Sequence, residues 1–488
     1  MSLFNATTRG RLKSLRRLAS ACCTWAVIWW ASSQACAQTA GFGAVGGVYI
    51  DPDGMLRETS TLSEQDLRRR LSPEKVGIGP APQVSAPSPL RKVSLRRLEQ
   101  AIARYHEAEE SIPVEFRFLA GLTGIRYVLI YPEIGDVVLA GPAEGWQQLP
   151  SGDFVGRRSN RPVLQLDDLV VALRYAFADH DAGSFLGCSI EPTEQGVKAH
   201  AAYVRRLAGM DRSQVPQIVQ GMEQAVGPQD IHVYGIDPSS RFALQMVAAD
   251  YRLKRIALAH DSSPVSKLPS YLDLAEKTVN GGPQRQHRWW FVGHYDAVRR
   301  AADGLAFEFE GAGLKVDTAP TLGPAQQGPN AAKPSRPAKL FAELASKHVS
   351  ELADKIPAVA ELQNLVGLAV ASAVIRRQAD EGRGATDESP VAEPAEVDSG
   401  SGRWRPGHFL SSKECPVAAL DVPRKTPSLA NVRFVKNQFW MFSVSGGVEI
   451  DPARLIDADH LKPAAGPRLG ESRLQSAPPA DATRWWWD

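Results

Sequence analysis

The stretch that decides the fold is RYVLIYPEIGDVVLAGPAEGW, residues 126–146. It contains two apolar runs, residues 127–131 and 137–139, which are separated by turn-forming residues between Pro132 and Gly135. This pattern predicts a β-hairpin that is buried on both faces. Amphipathic segments flank it, so we expect helices to cover the hairpin. We therefore predict an α+β fold, with a mixed sheet, covering helices and a small helical and strand-containing C-terminal region.

The first 37 residues have the three-part pattern of a secretory signal peptide. A basic start without acidic residues precedes the apolar run of residues 18–31, and the small-residue site Ala35-Cys36-Ala37 follows it. We expect cleavage after Ala37 and export to the periplasm or the extracellular space. An uncleaved membrane anchor is disfavoured because about 14 apolar residues are short for a full span. A twin-arginine signal and a lipoprotein signal at Cys36 both fit the neighbouring residues poorly.

Removal of the signal peptide changes both the charge and the cysteine content. The formal net charge of +2 falls to about −3 for the mature chain, so nucleic-acid binding loses its only compositional support and is not predicted. Arginine pairs such as Arg376-Arg377 are interleaved with acidic residues, which is typical of solvated helix faces. Cys188 and Cys415 are the two cysteines that remain. They could form a disulfide, but the chain is not a disulfide-rich scaffold.

Linkers rich in proline, glycine or acidic residues divide the chain. After the signal peptide (1–37) we predict an N-terminal strand and short helix (38–76), a linker (77–89), the main α+β domain (90–317), a linker (318–339), a helical region (340–379), a disordered acidic linker (380–402), C-terminal strands (403–461) and a disordered tail (462–488). Residues 362–375 are apolar on nearly every face. This indicates a buried helix that is too short to span a bilayer, so we predict no transmembrane span after signal removal.

Three local patterns lead to predictions about two helix starts and the C-terminal tail. Asp167 and the pair Asp237-Pro238 each resemble the start of a helix. The tail ends with Trp485, Trp486 and Trp487, which could contact a membrane interface or a partner, although a tail without a defined role is favoured.

A heptad occurs twice, as GGVYIDP at residues 46–52 and as GGVEIDP at residues 446–452. We hypothesise that both copies form glycine-entered strands that are neighbours in one small sheet. The alternative is that two unrelated strands converged on a common pattern.

The sequence assigns no catalytic residue. Gly41, Gly43 and Gly46 match a dinucleotide-binding fingerprint, but a strand rather than a helix follows them, so no cofactor is predicted. The histidines lack the spacing of metal ligands, and no metal site is predicted. Cys188 is the one weak candidate for a catalytic nucleophile, since a lone cysteine can act with a histidine. Burial in a strand explains this cysteine equally well.

Several motifs resemble those of the bacterial family known as domain of unknown function 1598. They are VLIYPEIGDVVLAGPAEGW (128–146), RPVLQLDDLVVALR (161–174), GCSIEPT (187–193), VAADYRLKRIAL (247–258), LPSYL (268–272), RWWF (288–291) and ADGLAFE (302–308). The resemblance extends in order from about residue 46 to residue 450. It implies an exported protein of a family without an assigned reaction.

We interpret the chain as a binding or envelope-associated structural module, whose expected partner is an envelope protein or polymer. An enzymatic activity is uncertain and is not favoured. The first alternative is a hydrolase of unfamiliar type that uses Cys188 or scattered histidine and aspartate residues. The second alternative is a protein that associates with a membrane surface through its C-terminal tryptophans.

Overall fold

Two seven-stranded sheets and the helices packed against them share one large core in the computed structural model of the protein. The structure describes residues 48–50, 55–58, 81–149, 151–181, 183–207, 212–278, 287–320, 334–381, 403–420, 423–435, 438–464 and 478–488. All of these residues belong to one compact unit. The sheets contain both parallel and antiparallel pairs, which confirms the predicted α+β class.

The strands are β1 (Val48–Ile50), β2 (Leu56–Glu58), β3 (Ser88–Ser94), β4 (Tyr127–Tyr131), β5 (Asp136–Ala143), β6 (Trp146–Gln148), β7 (Phe154–Gly156), β8 (Leu186–Pro192), β9 (Gln229–Tyr234), β10 (His287–Gly293), β11 (Ala297–Arg300), β12 (Ala306–Glu310), β13 (Leu314–Pro320), β14 (Lys425–Thr426), β15 (Ala430–Val435), β16 (Gln438–Ile450), β17 (Leu461–Pro463) and β18 (Trp486–Trp487). The α-helices are α1 (Pro82–Ser85), α2 (Leu95–Glu107), α3 (Val114–Arg117), α4 (Leu166–Phe177), α5 (Glu194–Arg206), α6 (Val215–Val226), α7 (Arg241–Ala257), α8 (Tyr271–Thr278), α9 (Arg336–Lys347), α10 (Val349–Lys355), α11 (Pro357–Glu381) and α12 (Pro452–Leu455).

The predicted hairpin is confirmed as β4 and β5, at the centre of the first sheet (sheet I). The strand order of sheet I is β17-β11-β12-β4-β5-β3-β18. Val128 and Leu139 lie on the face that joins the main core, whereas Leu129 and Val138 lie on the opposite face in a second apolar cluster. That cluster includes Trp487 from the C-terminal strand. Both faces are therefore buried, but the expectation that helices cover both of them is wrong.

Residues 478–488 of the C-terminal tail differ from the predicted disordered tail. β18 pairs with β3, and the side chains of Trp485 and Trp487 are buried. Asp488 accepts a hydrogen bond from the buried guanidinium of Arg91 at 2.8 Å. Trp486 and Trp487 thus form the edge strand of sheet I, where strand pairing satisfies backbone groups and burial shields the indole rings of Trp485 and Trp487. Burial also removes two of the three tryptophans from the surface that a membrane could contact.

In the second sheet (sheet II) the order is β13-β10-β16-β8-β9-β14, and β15 pairs with β16 beside this path. The GGVEIDP segment enters this sheet, where β16 pairs in parallel with β10 and antiparallel with β8. Both edges of β16 are therefore occupied. β1 pairs instead with β2 in a separate two-stranded sheet, so the idea that the two heptads are neighbours is wrong. Gly46 itself lies outside the described residues.

Helix α11 crosses the centre of the core and packs against α4, α7 and α10. It has 25 residues and is long and apolar enough to cross a membrane, but 89% of its most apolar window is buried inside the protein. The predicted burial is confirmed. The argument that this helix is too short to span a bilayer is wrong, because it extends beyond residues 362–375 at both ends.

Two helix starts differ from the predictions. α4 begins at Leu166 after Gln165, so Asp167 lies within its first turn. α7 begins at Arg241, and the hydroxyl of Ser240 accepts from the backbone N–H of Ala243. The carboxylate of Asp237 instead accepts hydrogen bonds from the backbone N–H and the hydroxyl of Ser239. The predicted domain boundaries remain predictions.

Candidate functional site

One face of sheet II is closed and the other is open. On β10, Trp289 and Phe291 are buried, whereas Arg288, Trp290 and Val292 on the opposite side are partly exposed. α7 packs against β8, β10 and β16 and covers the face that carries the buried side chains. Because side chains alternate along a strand, the partly exposed set defines a second face, which we call the outer face.

Strand register brings a second group of exposed side chains onto the outer face. Tyr234 lies opposite Gly187 and His232 lies opposite Ser189. His232 is exposed, and 41% of Tyr234 is exposed. β8 and β16 separate these side chains from Trp290, so the two columns are about 14 Å apart at three strand spacings.

The two middle strands leave a shallow trough between these columns. Gly447 lies opposite Ser189, and Gly187 lies opposite Glu449, so glycine occupies the floor at two positions. The rings of Phe185 and Tyr234 are 5.7 Å apart, centroid to centroid, on the β9 side. The trough has a volume of about 200 Å³ and is lined by Phe185, Cys188, Ser189, Tyr234, Arg288, Trp290, Gly446, Gly447, Val448 and Glu449. We call this set the aromatic trough.

Close strand packing explains the glycine pair of the GGVEIDP heptad. Gly446 has φ +129°, and a Cβ at this position would lie 1.9 Å from the carbonyl oxygen of Trp289. A Cβ on Gly447 would lie 1.6 Å from the carbonyl oxygen of Cys188. Only glycine fits either position. The packing that requires these residues also leaves the trough floor without side chains.

The outer face carries hydroxyl groups and charged side chains of both signs. The hydroxyls of Tyr234 and Ser189 are 3.1 Å apart and share a hydrogen bond. Arg288 donates to Glu191 at 3.0 Å. Strand alternation places four acidic and three basic residues on this face, namely Glu191, Asp230, Asp317, Glu449, Arg288, Lys315 and Lys425. The charges of the face therefore nearly balance.

Cys188 borders the trough, but its side chain belongs to the closed face. It is 3% exposed, and burial raises the pKa of its thiol well above the usual value. Asp250 and Lys254 of α7 lie near the thiol and form a fully buried ion pair. This environment favours the neutral thiol over the reactive thiolate. Cys188 and Cys415 are both free, and a catalytic role for Cys188 remains a prediction.

A buried charge network joins the three central helices. Arg241 of α7 bonds to Asp168 of α4, and its Nη2 donates to Glu361 of α11 at 2.5 Å. Burial raises the pKa of Glu361 to about 8 and that of Asp168 to about 6, although Arg241 acts in the opposite direction. One guanidinium thus faces two carboxyl groups, and we assign a proton to Glu361 at neutral pH.

Three further clefts lie along α4. Clefts of about 540 and 260 Å³ flank residues 416–419, and a larger one of about 880 Å³ adjoins the C-terminal end of the helix. Arg376 and Arg377 line the largest cleft and donate to the backbone carbonyls of Phe177 and Ile456. The sequence predicted that Arg376 and Arg377 lie on a solvated helix face, but both side chains also make hydrogen bonds within the protein. Among the described residues, no group of three or more His, Cys, Asp or Glu side chains could hold a metal ion.

Sequence reasoning missed the trough because its walls come from separate motifs. RWWF supplies Trp290, and the exposed end of β9 supplies Tyr234. The glycine pair was recognised as a strand entry, but its place between β10 and β8 depends on the topology. The nucleotide-like glycines Gly41, Gly43 and Gly46 lie outside the described residues.

Comparison with known proteins relates part of the trough to a family. Residues 188–271 match the family model described as Protein of unknown function (DUF1598). The comparisons with curated proteins and with solved structures gave no significant match. The matched range contains Ser189 and Tyr234 of the trough and Arg241 of the charge network, whereas Trp290 and Gly447 lie outside it. Residues 188–271 are therefore similar to the DUF1598 family, which is the family that the sequence motifs resemble.

Proposed function

We propose that this protein is exported and binds a neutral glycan of the cell envelope through the aromatic trough. The observation that carries the proposal is the pair of accessible aromatic side chains, Trp290 and Tyr234, on either side of a floor that glycine keeps free of side chains. Exposed aromatic residues beside a concave surface are typical of binding sites rather than of a sealed core.

The chemistry of a sugar ring matches both parts of the trough. A pyranose presents apolar C–H groups on its faces, which pack against aromatic rings, and hydroxyl groups around its edge, which need polar partners. Trp290 and Tyr234 offer the aromatic surfaces. Ser189, Arg288 and Glu449 offer donors and acceptors next to them. A few polar groups within a mostly apolar site can fix the orientation of a ligand.

The charge of the outer face favours a neutral ligand. Four acidic and three basic residues give this face no net positive charge to attract the phosphates of a nucleic acid, which basic side chains must neutralise for binding. The mature chain, with a net charge of about −3, gives a nucleic acid no compensating attraction. A neutral polysaccharide needs no such attraction.

Export is supported by the signal pattern of residues 1–37. An exported protein meets the polymers of the envelope at high local concentration. A polymer of repeating sugar units offers many copies of the ligand to one shallow site, which raises the local ligand concentration.

Co-sedimentation of the mature protein with insoluble chitin and cellulose tests this proposal. We expect the wild-type protein to be retained by at least one of the two polymers and Trp290→Ala to lose most of that retention. Val197→Ala is the matched control, because Val197 is 52% exposed on α5 and lies outside the trough. Absence of retention on both polymers, or equal retention of wild-type protein and Trp290→Ala, would contradict the proposal.

A further inference from the structure

Two histidines from distant parts of the chain meet at the C-terminal end of α2. His106 lies in the last turn of this helix, and His408 begins the short 3-10 helix His408–Leu410. The centroids of the two imidazole rings are 5.7 Å apart, and the ring planes are inclined by 68°. His106 is exposed, whereas only 12% of the His408 side chain is exposed. We call these two residues the histidine pair.

A buried carboxylate on the same helix fixes the position of His408. Glu99 and His106 lie about two helical turns apart on α2, and therefore on one side of the helix. The buried carboxylate of Glu99 accepts from the backbone N–H groups of Gly407 and Phe409, at 2.8 and 2.9 Å. These two bonds lie on either side of His408 in the chain. Contacts other than those of the two rings therefore hold His408 beside His106.

The two ring nitrogens of His408 have different surroundings. Its Nδ1 lies 3.4 Å from Oε2 of Glu414. Its Nε2 is buried and makes no hydrogen bond to any described residue. A buried nitrogen without a partner costs free energy, so its presence needs an explanation. A carboxylate beside one ring nitrogen and a second nitrogen that is free for a ligand are the usual arrangement of a histidine that binds a metal ion.

The distance between the rings fits a single metal ion. A Zn–N bond is about 2.0–2.1 Å long, so two imidazoles on one ion have centroids roughly 5–6 Å apart. The observed distance of 5.7 Å falls in this range. Because His106 is exposed, its ring is free to turn a nitrogen towards the ion.

The charge state of His408 also suits a metal ligand. Burial lowers the pKa of His408, and the neighbouring His106 acts in the same direction, whereas Glu414 and Glu107 oppose this shift. The lowered pKa favours the neutral imidazole at neutral pH, which is the form that binds a metal ion.

We propose that the histidine pair binds one divalent transition-metal ion, with water completing its coordination. Imidazole nitrogen suits Zn²⁺, Cu²⁺ and Ni²⁺, whereas Mg²⁺ prefers oxygen ligands. The ion joins the C-terminal end of α2 to the 3-10 helix that begins at His408. A full tetrahedral set of protein ligands is typical of a permanent structural zinc site, so this site holds its ion reversibly. It is separate from the aromatic trough and does not depend on glycan binding.

Calorimetric titration of the mature protein with ZnCl₂ tests the proposal. The protein carries no affinity tag, and EDTA treatment followed by its removal strips bound metal before the titration. We expect saturable binding at neutral pH, with an affinity that His106→Gln and His408→Gln each lower about tenfold or more. MgCl₂ should give no binding that depends on either histidine. Because His106 is exposed, His106→Gln keeps the test decisive even if His408→Gln folds poorly.

His348→Gln is the matched control. Nδ1 of His348 also lies 3.4 Å from a glutamate oxygen, that of Glu351, and 13% of the His348 side chain is exposed. Among the described residues, however, His348 makes no ring contact with another histidine, so this variant should bind Zn²⁺ as the wild-type protein does. Circular dichroism checks that each variant is folded. No zinc binding by the wild-type protein, or an affinity that His106→Gln or folded His408→Gln leaves unchanged, would overturn the proposal.

Discussion

The two seven-stranded sheets differ in how many of their faces are buried. In sheet I the central hairpin is buried on both faces, and Leu129 and Val138 on the second face have no exposed surface. In sheet II, α7 covers one face, while Tyr234 and Trp290 remain accessible on the other. Both sheets have the same number of strands and join the same core.

Because of this difference, the outer face of sheet II is open to solvent, whereas both faces of the central hairpin of sheet I are covered. Sheet I uses its second face for stability, since the C-terminal strand brings Trp487 against the hairpin. Sheet II keeps large aromatic side chains at the surface, where they contribute less to folding than they would in a core. This contrast is the ground on which we propose a binding role for the accessible tryptophan and tyrosine beside the glycine floor.

Gly446→Ala should have the largest effect and tests whether the trough floor is required by the sheet. The new Cβ would lie 1.9 Å from a carbonyl oxygen on the neighbouring strand, so we expect little folded protein. Gly183→Ala is the control, because Gly183 has φ +85° but a Cβ added there would meet no atom within 4 Å, and the change should cost about 1–2 kcal/mol. Urea unfolding and soluble yield measure both. Equal stability of the two variants would mean that the close strand packing is not needed.

Trp487→Ala tests the sealed face of sheet I. Trp487 is only 4% exposed, and its removal should lower the free energy of unfolding by about 3–5 kcal/mol. Urea denaturation measures the change. A loss below about 1 kcal/mol would show that the tail does not seal the hairpin and would remove the contrast between the sheets.

Glu361→Gln tests the helical layer that covers the closed face of sheet II. The pKa of Glu361 is raised to about 8, so the native state keeps a proton that the unfolded chain releases above its ordinary pKa. Stability should therefore fall as the pH rises towards 8, by about 2 kcal/mol between pH 6 and pH 8. The variant should lack this fall, because glutamine does not titrate. Asp168, whose pKa is about 6, should still lower the stability between pH 4 and pH 6 in both proteins.

Urea titrations at pH 5, 6, 7, 8 and 9 compare the two proteins. If wild-type protein and Glu361→Gln lose stability in parallel between pH 6 and pH 8, Glu361 does not hold the proton that we assign to it.

Trp290→Ala should have the smallest effect on stability and is the direct counterpart of Trp487→Ala. Trp290 is only partly buried on the outer face, so we expect a loss of about 1 kcal/mol or less. The same urea measurement compares the two tryptophans. Equal losses at both positions would mean that the outer face is part of the folding core rather than a free surface.

The hairpin could be predicted from sequence because its two apolar runs and turn are local. The trough could not, because the alternating pattern of Trp289 and Trp290 leaves open which indole faces the core. Nor could the charge network, since Arg241 lies 73 residues from Asp168 and 120 residues from Glu361 along the chain. The order of the tail could not be predicted for a related reason. Trp485 and Trp487 become buried only when β3, some 390 residues earlier, supplies a strand partner.

The most direct test of the central claim is a calorimetric titration of the mature protein with neutral oligosaccharides, using chitohexaose and cellohexaose as probes. We predict saturable binding of at least one of them, with an affinity that Trp290→Ala lowers tenfold or more and Val197→Ala leaves unchanged. No binding of either oligosaccharide, or the same affinity for the wild-type protein and Trp290→Ala, would contradict glycan recognition by the aromatic trough.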